Sequence, residues 1–215
     1  GPEDAPHVVL IDLGVKEHII ESLLRREVRV TVVPYGTTAK AILALGPDGV
    51  VTSPGPGDPV NAAAAVFTVR DLARSGLPFF GICLGHQLLA LAAGARTSKL
   101  KFGHRGGNHP VKDLLSGQVH MTSQNHGYQV DAESLPVDQG WQIWMVNVND
   151  GTVEGLRHRS LPVMSVQYHP EGSPGPQDNQ YLFDEFLALV RAHWERRQPA
   201  ASVGLAAQAS TGGSE

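Results

Sequence analysis

The sequence predicts a doubly wound α/β fold: a mostly parallel central sheet, flanked by helices, with extra antiparallel strands. Three observations carry this. Over the first 93 residues, short apolar β-rich runs alternate with stretches of helical spacing, the pattern of linked βαβ units. Leu77-Pro78-Phe79-Phe80-Gly81-Ile82 is a short run suited to a strand buried on both faces, and it turns at Cys83 directly into a Leu/Ala-rich segment. Beyond residue 96 the texture changes to short β-like stretches separated by turn residues, which suits antiparallel additions to the main sheet.

Taken in order, residues 7–13 are a β-rich apolar run and the first parallel strand. Residues 16–26 place Ile19, Ile20, Leu23 and Leu24 at helical spacing. A strand over 28–33, a helix over 37–45 and a buried strand over 50–52 follow, leading into a Gly/Pro loop. Residues 62–74 are helical, and after the strand ending at Ile82 the segment 84–93 is again helical. The Gly-rich stretch 101–110 reads as a loop. Short strands are expected over 118–121, 128–130, 142–148 and 163–166, with Asp150-Gly151 as a turn. An amphipathic helix over 179–197 closes the domain, with Leu182, Phe183, Phe186, Leu187, Val190 and Trp194 on one face. In this reading residues 1–6 are a linker or cleavage remnant, 7–198 one domain, and the Ala/Ser/Gly-rich residues 199–215 a disordered tail. In such a sheet the ligand site belongs at the carboxyl ends of the strands.

Composition narrows the function. The 215 residues are enough for one sizeable core. Seventeen Lys+Arg against 21 Asp+Glu give a net charge of −4, which argues against a nucleic-acid backbone or an anionic membrane as partner. A single cysteine rules out an internal disulfide and fits a reducing, cytoplasmic setting. No apolar run approaches a membrane span.

That cysteine sits in Gly81-Ile82-Cys83-Leu84-Gly85-His86-Gln87, where flanking glycines allow a tight strand-to-helix turn. A free thiol, with pKa near 8.5, is mostly protonated at neutral pH; a helix N-terminus stabilises its thiolate. Downstream, Val166-Gln167-Tyr168-His169-Pro170-Glu171 holds His169 extended ahead of a proline, so His169 and Glu171 project to the same side. Cys83, His169 and Glu171 therefore suit a nucleophile, a base and the carboxylate that orients it.

With these motifs the chain resembles the class I glutamine amidotransferases, and the match extends further. Ser53-Pro54-Gly55-Pro56-Gly57-Asp58-Pro59 resembles the family's oxyanion loop. Lys101-Phe102-Gly103-His104-Arg105-Gly106-Gly107-Asn108-His109-Pro110, Ser123-Gln124-Asn125-His126-Gly127-Tyr128 and Pro174-Gly175-Pro176 are similar to the amidotransferase domain of carbamoyl-phosphate synthase small subunits. The resemblance implies a flavodoxin-like fold and hydrolysis of L-glutamine through a thioester on Cys83. It implies an oxyanion hole from the Leu84 and Gly57 N–H groups, proline having none to offer. It also implies glutamine contacts from Gly55, Gly57, Leu84, Gln87, Asn125, Gly127 and Tyr128, the last often Phe in the family. The small subunit's N-terminal domain, whose serine completes the glutamine site, is absent from this stretch. The implied partner is the large synthetase subunit, which uses ATP, bicarbonate and Mg to make carbamoyl phosphate for arginine and pyrimidine synthesis. No cofactor or metal is expected in this domain, since His104 and His109 have no further ligand at a recognisable spacing. His126 is expected to order a turn at 125–127. The alternatives are the amidotransferase of another synthetase, of the GMP or anthranilate type, or a non-catalytic docking fragment.

Overall fold

The computed structural model describes residues 1–172 and 178–199. Nine strands form one sheet: β1 (His7–Asp12), β2 (Arg29–Pro34), β3 (Gly49–Thr52), β4 (Phe79–Ile82), β5 (Thr97–Asp113), β6 (Val119–Val130), β7 (Trp141–Asn147), β8 (Val153–His158) and β9 (Val163–Val166). Their order across the sheet is β2-β1-β3-β4-β9-β8-β7-β5-β6. The first five in that order run parallel, and the remaining four add on antiparallel. Five helices connect or cover them: α1 (Glu17–Leu24), α2 (Ala39–Ala44), α3 (Ala63–Arg74), α4 (Leu84–Ala92) and α5 (Tyr181–Arg197).

Strand alternation divides the core between the two faces. Val8 and Leu10 of β1 pack with Ile19 and Leu23 of α1 and with Phe183, Phe186 and Val190 of α5. Val9 and Ile11 point the other way, into a cluster with Ile42, Val69, Leu72 and Leu88 from α2, α3 and α4. Helices thus cover both faces, the doubly wound arrangement expected. Trp194, expected on the inner stripe of α5, is only half-buried near its end.

The structure corrects the reading of the second half. Residues 101–110, read as a loop, lie within the 17-residue strand β5, which pairs with β6 across two register shifts. The expected short strands at 118–121 and 128–130 are one strand, β6, and His126 lies within it rather than ordering a turn. β9 does not belong to the antiparallel addition: it pairs parallel with β4 and so completes the central sheet. β8 was not anticipated. Pro174-Gly175-Pro176 and nearly all of the expected tail lie outside the described residues.

Candidate active site

Parallel strands deliver their loops to one edge, and the site is built there. Gly14 follows β1, the 54–57 loop follows β3, Cys83 follows β4 and His169 follows β9; all line one cavity of roughly 500 Å³.

Cys83 caps α4 with φ +53° and ψ −104°, a region that L-residues enter at a cost and that the surroundings must enforce. Its N–H donates to Val166 O at 2.9 Å, tying the turn to β9, and its carbonyl accepts from Gln87 N at 3.2 Å. Close packing sets the rest: a Cβ on Gly85 would lie 2.3 Å from Thr52 O. Only glycine lets α4 sit this near β3. The loop after β3 is held similarly, since a Cβ on Gly55 would lie 2.3 Å from Leu13 O, and Gly57 has φ +94°.

The His169 N–H donates to Ser123 O at 2.9 Å, docking the segment after β9 on β6. His169 Nδ1 lies 2.7 Å from Glu171 Oε1, and the His169 ring and the Cys83 side chain share the cavity and interact electrostatically. Burial alone would lower the pKa of His169; its interactions with Cys83 and Glu171 outweigh it and raise the value to about 9. The structure therefore brings together the three residues that the sequence, 88 positions apart, singled out.

Gly55, Gly57, Gln87, Asn125, Gly127 and Tyr128 all line the cavity. Leu84 and Glu171 do not: Leu84 places its N–H at the start of α4, and Glu171 is buried behind His169. The Gln87 amide donates to Tyr128 O at 3.1 Å and to Gln167 Oε1 at 3.1 Å, bracing α4 against β6 and the segment after β9.

The Glutamine amidotransferase class-I family matches residues 9–189. The chain belongs to the class I glutamine amidotransferases. Among curated relatives, the carbamoyl phosphate synthase small chain of Staphylococcus haemolyticus is 55% identical over 193 residues, covering 90% of this chain and 52% of that one. That of Symbiobacterium thermophilum is 56% identical over 190 residues, covering 88% and 52%. The chain thus spans about half the length of the curated relatives it matches. A solved Thermoplasma acidophilum structure, named for GMP synthase, superimposes with a TM-score of 0.77 at 22% identity, covering 89% of this chain and 97% of that one. At that identity the likeness concerns the fold alone.

Around the amidotransferase site lie groups that the sequence did not single out. Gly14, Lys16, Lys99, Arg105 and His126 line the cavity, and the Gln167 amide reaches Cys83 Sγ at 3.8 Å. Gln167 sits two residues before His169, just past the end of β9, and its nearness along the chain could have flagged it. Of the cations, Lys16 follows β1, and Lys99 and Arg105 are brought to the site by the pairing of β5 with β6.

Beside the cavity, His104, His126 and Glu154 converge with their ligand-capable atoms within 4.8 Å of one another. Glu154, from the unanticipated β8, is the third polar group that spacing did not reveal. The cluster is held by hydrogen bonds. His104 Nε2 donates to Asp150 Oδ2 at 2.6 Å, His104 Nδ1 faces His126 Nε2 at 3.3 Å and Glu154 Oε1 at 3.5 Å, and His126 Nδ1 donates to Tyr128 O at 2.8 Å. Hydrogen bonding to Glu154, against the cost of burial and with help from Asp150, raises the pKa of His104 to about 9. One imidazolium thus sits between two carboxylates. Burial first, and the charge of His104 among other causes, lower His126 to about 4, so it stays neutral. His86, wholly buried in α4 against Ser165, is lowered to about 3 by burial and by His126.

Proposed function

We propose that this chain is the glutaminase component of a glutamine-dependent carbamoyl-phosphate synthase. The observation that carries the chemistry is a strained cysteine at a helix N-terminus, sharing its cavity with a histidine that a buried glutamate orients. The choice of acceptor rests on relatives named carbamoyl phosphate synthase small chain at 53–56% identity.

In this reading, Cys83 Sγ attacks the side-chain amide carbon of L-glutamine. The Leu84 and Gly57 N–H groups stabilise the tetrahedral oxyanion. His169, protonated and steadied by Glu171, gives its proton to the departing nitrogen; ammonia leaves and a γ-glutamyl thioester remains. His169 then takes a proton from water as the water attacks the thioester, and glutamate is released from Cys83. Gly55, Gln87, Asn125, Gly127 and Tyr128 hold the amino-acid end. This domain needs no cofactor of its own. Its ammonia passes to the large subunit, the cytoplasmic synthetase that consumes ATP, with Mg, and bicarbonate. Residues 7–198 form the amidotransferase domain, whose activity alone is low and is stimulated by the partner. Among the described residues no helix is long and apolar enough to cross a membrane.

The test supplies the chain with glutamine and, in turn, carbamoyl-phosphate, GMP and anthranilate synthetase subunits with their substrates. Glutamine-dependent product with the first alone supports the reading. Product with either of the others reassigns the acceptor, and no product with any supports a docking fragment.

A further inference from the structure

The polar cluster beside the cavity has the make-up of a cation site. His104 of β5, His126 of β6 and Glu154 of β8 bring their ligand-capable atoms within 4.8 Å of one another. His104 Nδ1 lies 3.3 Å from His126 Nε2 and 3.5 Å from Glu154 Oε1. Two ligands held about 2.0–2.1 Å from a tetrahedral ion stand roughly 3.3 Å apart, so these groups are already spaced to share one. The outward ring nitrogens are engaged, His104 Nε2 with Asp150 Oδ2 at 2.6 Å and His126 Nδ1 with Tyr128 O at 2.8 Å. A metal-binding histidine usually gives its other N–H to a carboxylate or a carbonyl, and both histidines here do so. With its proton on Nδ1, His126 turns the Nε2 lone pair inward, where Gln124 Oε1, another acceptor, lies 2.7 Å away. That amide is fixed in this sense, because Gln124 Nε2 donates to Thr122 Oγ1 and Glu154 Oε2, each at 3.0 Å. Acceptor thus faces acceptor, and a cation between them satisfies both. His109 stays outside the cluster: its ring stacks 5.2 Å from that of His104, but its Nε2 bonds Arg105 O at 2.7 Å.

We infer that His104, His126 and Glu154 bind a divalent transition-metal ion of the zinc class, with the Gln124 carbonyl beside the fourth position. Two imidazoles in the ligand set favour such an ion over magnesium or calcium. Glu154 as a ligand and Asp150 behind His104 supply two negative charges, which match a dication. Coordination at His104 Nδ1 displaces a proton held there, so a proton leaves as the ion enters. All three ligands are buried, and His126 also lines the Cys83 cavity, which gives the ion its way in. Once bound, the ion pins β8 to the β5–β6 pair, next to Asn125, Gly127 and Tyr128 of the cavity wall. Its role is to clamp: neither Cys83 nor His169 belongs to the ligand set, and the hydrolysis proposed above does not use it.

The test is equilibrium dialysis of zinc ion against the full chain, stripped of metal by a chelator. A Cys83→Ala background keeps the thiol from taking the ion. This background should bind a single zinc ion tightly, and excess magnesium ion should not displace it. Cobalt ion in its place should give the visible spectrum of nitrogen and oxygen ligands, without a thiolate band. His104→Gln and Glu154→Gln should each weaken zinc binding at least about 100-fold. Both residues are buried, and either change could cost the fold. Asp150→Asn therefore serves beside them: Asp150 is exposed and reaches the ion only through His104, and its loss should weaken binding about 10-fold or more. Failure of the Cys83→Ala chain to bind zinc would overturn the inference. So would undiminished binding in Asp150→Asn or in a folded His104→Gln or Glu154→Gln chain.

Discussion

Glu171 Oε1 lies 2.7 Å from His169 Nδ1, two residues away across a turn, and with Cys83 it sets the protonation of the histidine. The Gly172 N–H closes that turn on His169 O at 3.2 Å, where an extended segment was expected. With Glu171 and Cys83 as partners, His169 keeps its proton up to about pH 9. Glu171→Gln removes the charge while keeping the shape. The alkaline limb of the glutaminase pH profile should then move down by about 1–3 pH units. Superimposable profiles for the two proteins would show that Glu171 does not tune the histidine.

Stability should also depend on pH. His104 and His169, at about 9 in the fold, lie above the value of roughly 6.5 expected for an unfolded histidine. Their stabilisation is therefore complete below about pH 6.5 and is lost as pH rises through about 9. His86, lowered to about 3, has the opposite sign: its contribution is present above pH 6.5 and is lost as pH falls towards 3. Thermal unfolding of wild type and His104→Gln at pH 6.5 and 9.5 checks the alkaline side. The variant should start less stable by a few kcal/mol and lose less on going to high pH.

Gly85→Ala should be among the more damaging single-methyl additions, because the new Cβ would fall 2.3 Å from Thr52 O in the backbone of β3. Neither α4 nor β3 can retreat without moving Cys83. A loss of about 2–4 kcal/mol is expected in denaturant unfolding, with glutaminase activity reduced even where the variant remains folded.

Tyr128→Phe should be nearly silent. Tyr128 acts through its main chain, accepting from Gln87 Nε2 at 3.1 Å and from His126 Nδ1 at 2.8 Å, and the substitution keeps both bonds and the ring. The KM for glutamine should stay within about two-fold of wild type. A large rise would place the hydroxyl in the site.

The first half of the fold was legible because β1, β3 and β4 are buried apolar runs, and the edge strand β2 is still a Val-rich run between two helices. β3 and β4 are wholly buried four-residue runs bounded by turn residues, and the sequence marks them clearly. β5 is different. It is largely exposed, carries three glycines and twice breaks register with β6, so it has no period-two pattern to read. β8 hides for the opposite reason: Val153 to Leu156 are all buried, but they include Glu154, which is tolerated only because Gln124, Asn147 and His104 surround it. In the site, the cysteine, histidine and glutamate carried local signals: an elbow, a proline and a two-residue spacing. Lys99 carried none, and the motifs around Arg105 and His126 did not mark them for the cavity, because the β5–β6 register sets their place there. The same register set the error at residues 125–127, where a Gly-containing motif suggested a turn but the chain continues as strand.

The most direct test of the account is glutamate release from L-glutamine, in the presence of the synthetase partner, by the wild-type chain and by Cys83→Ala. The account predicts release by the wild type and a fall of at least about 10³-fold in the variant. Equal release by the two proteins would contradict it.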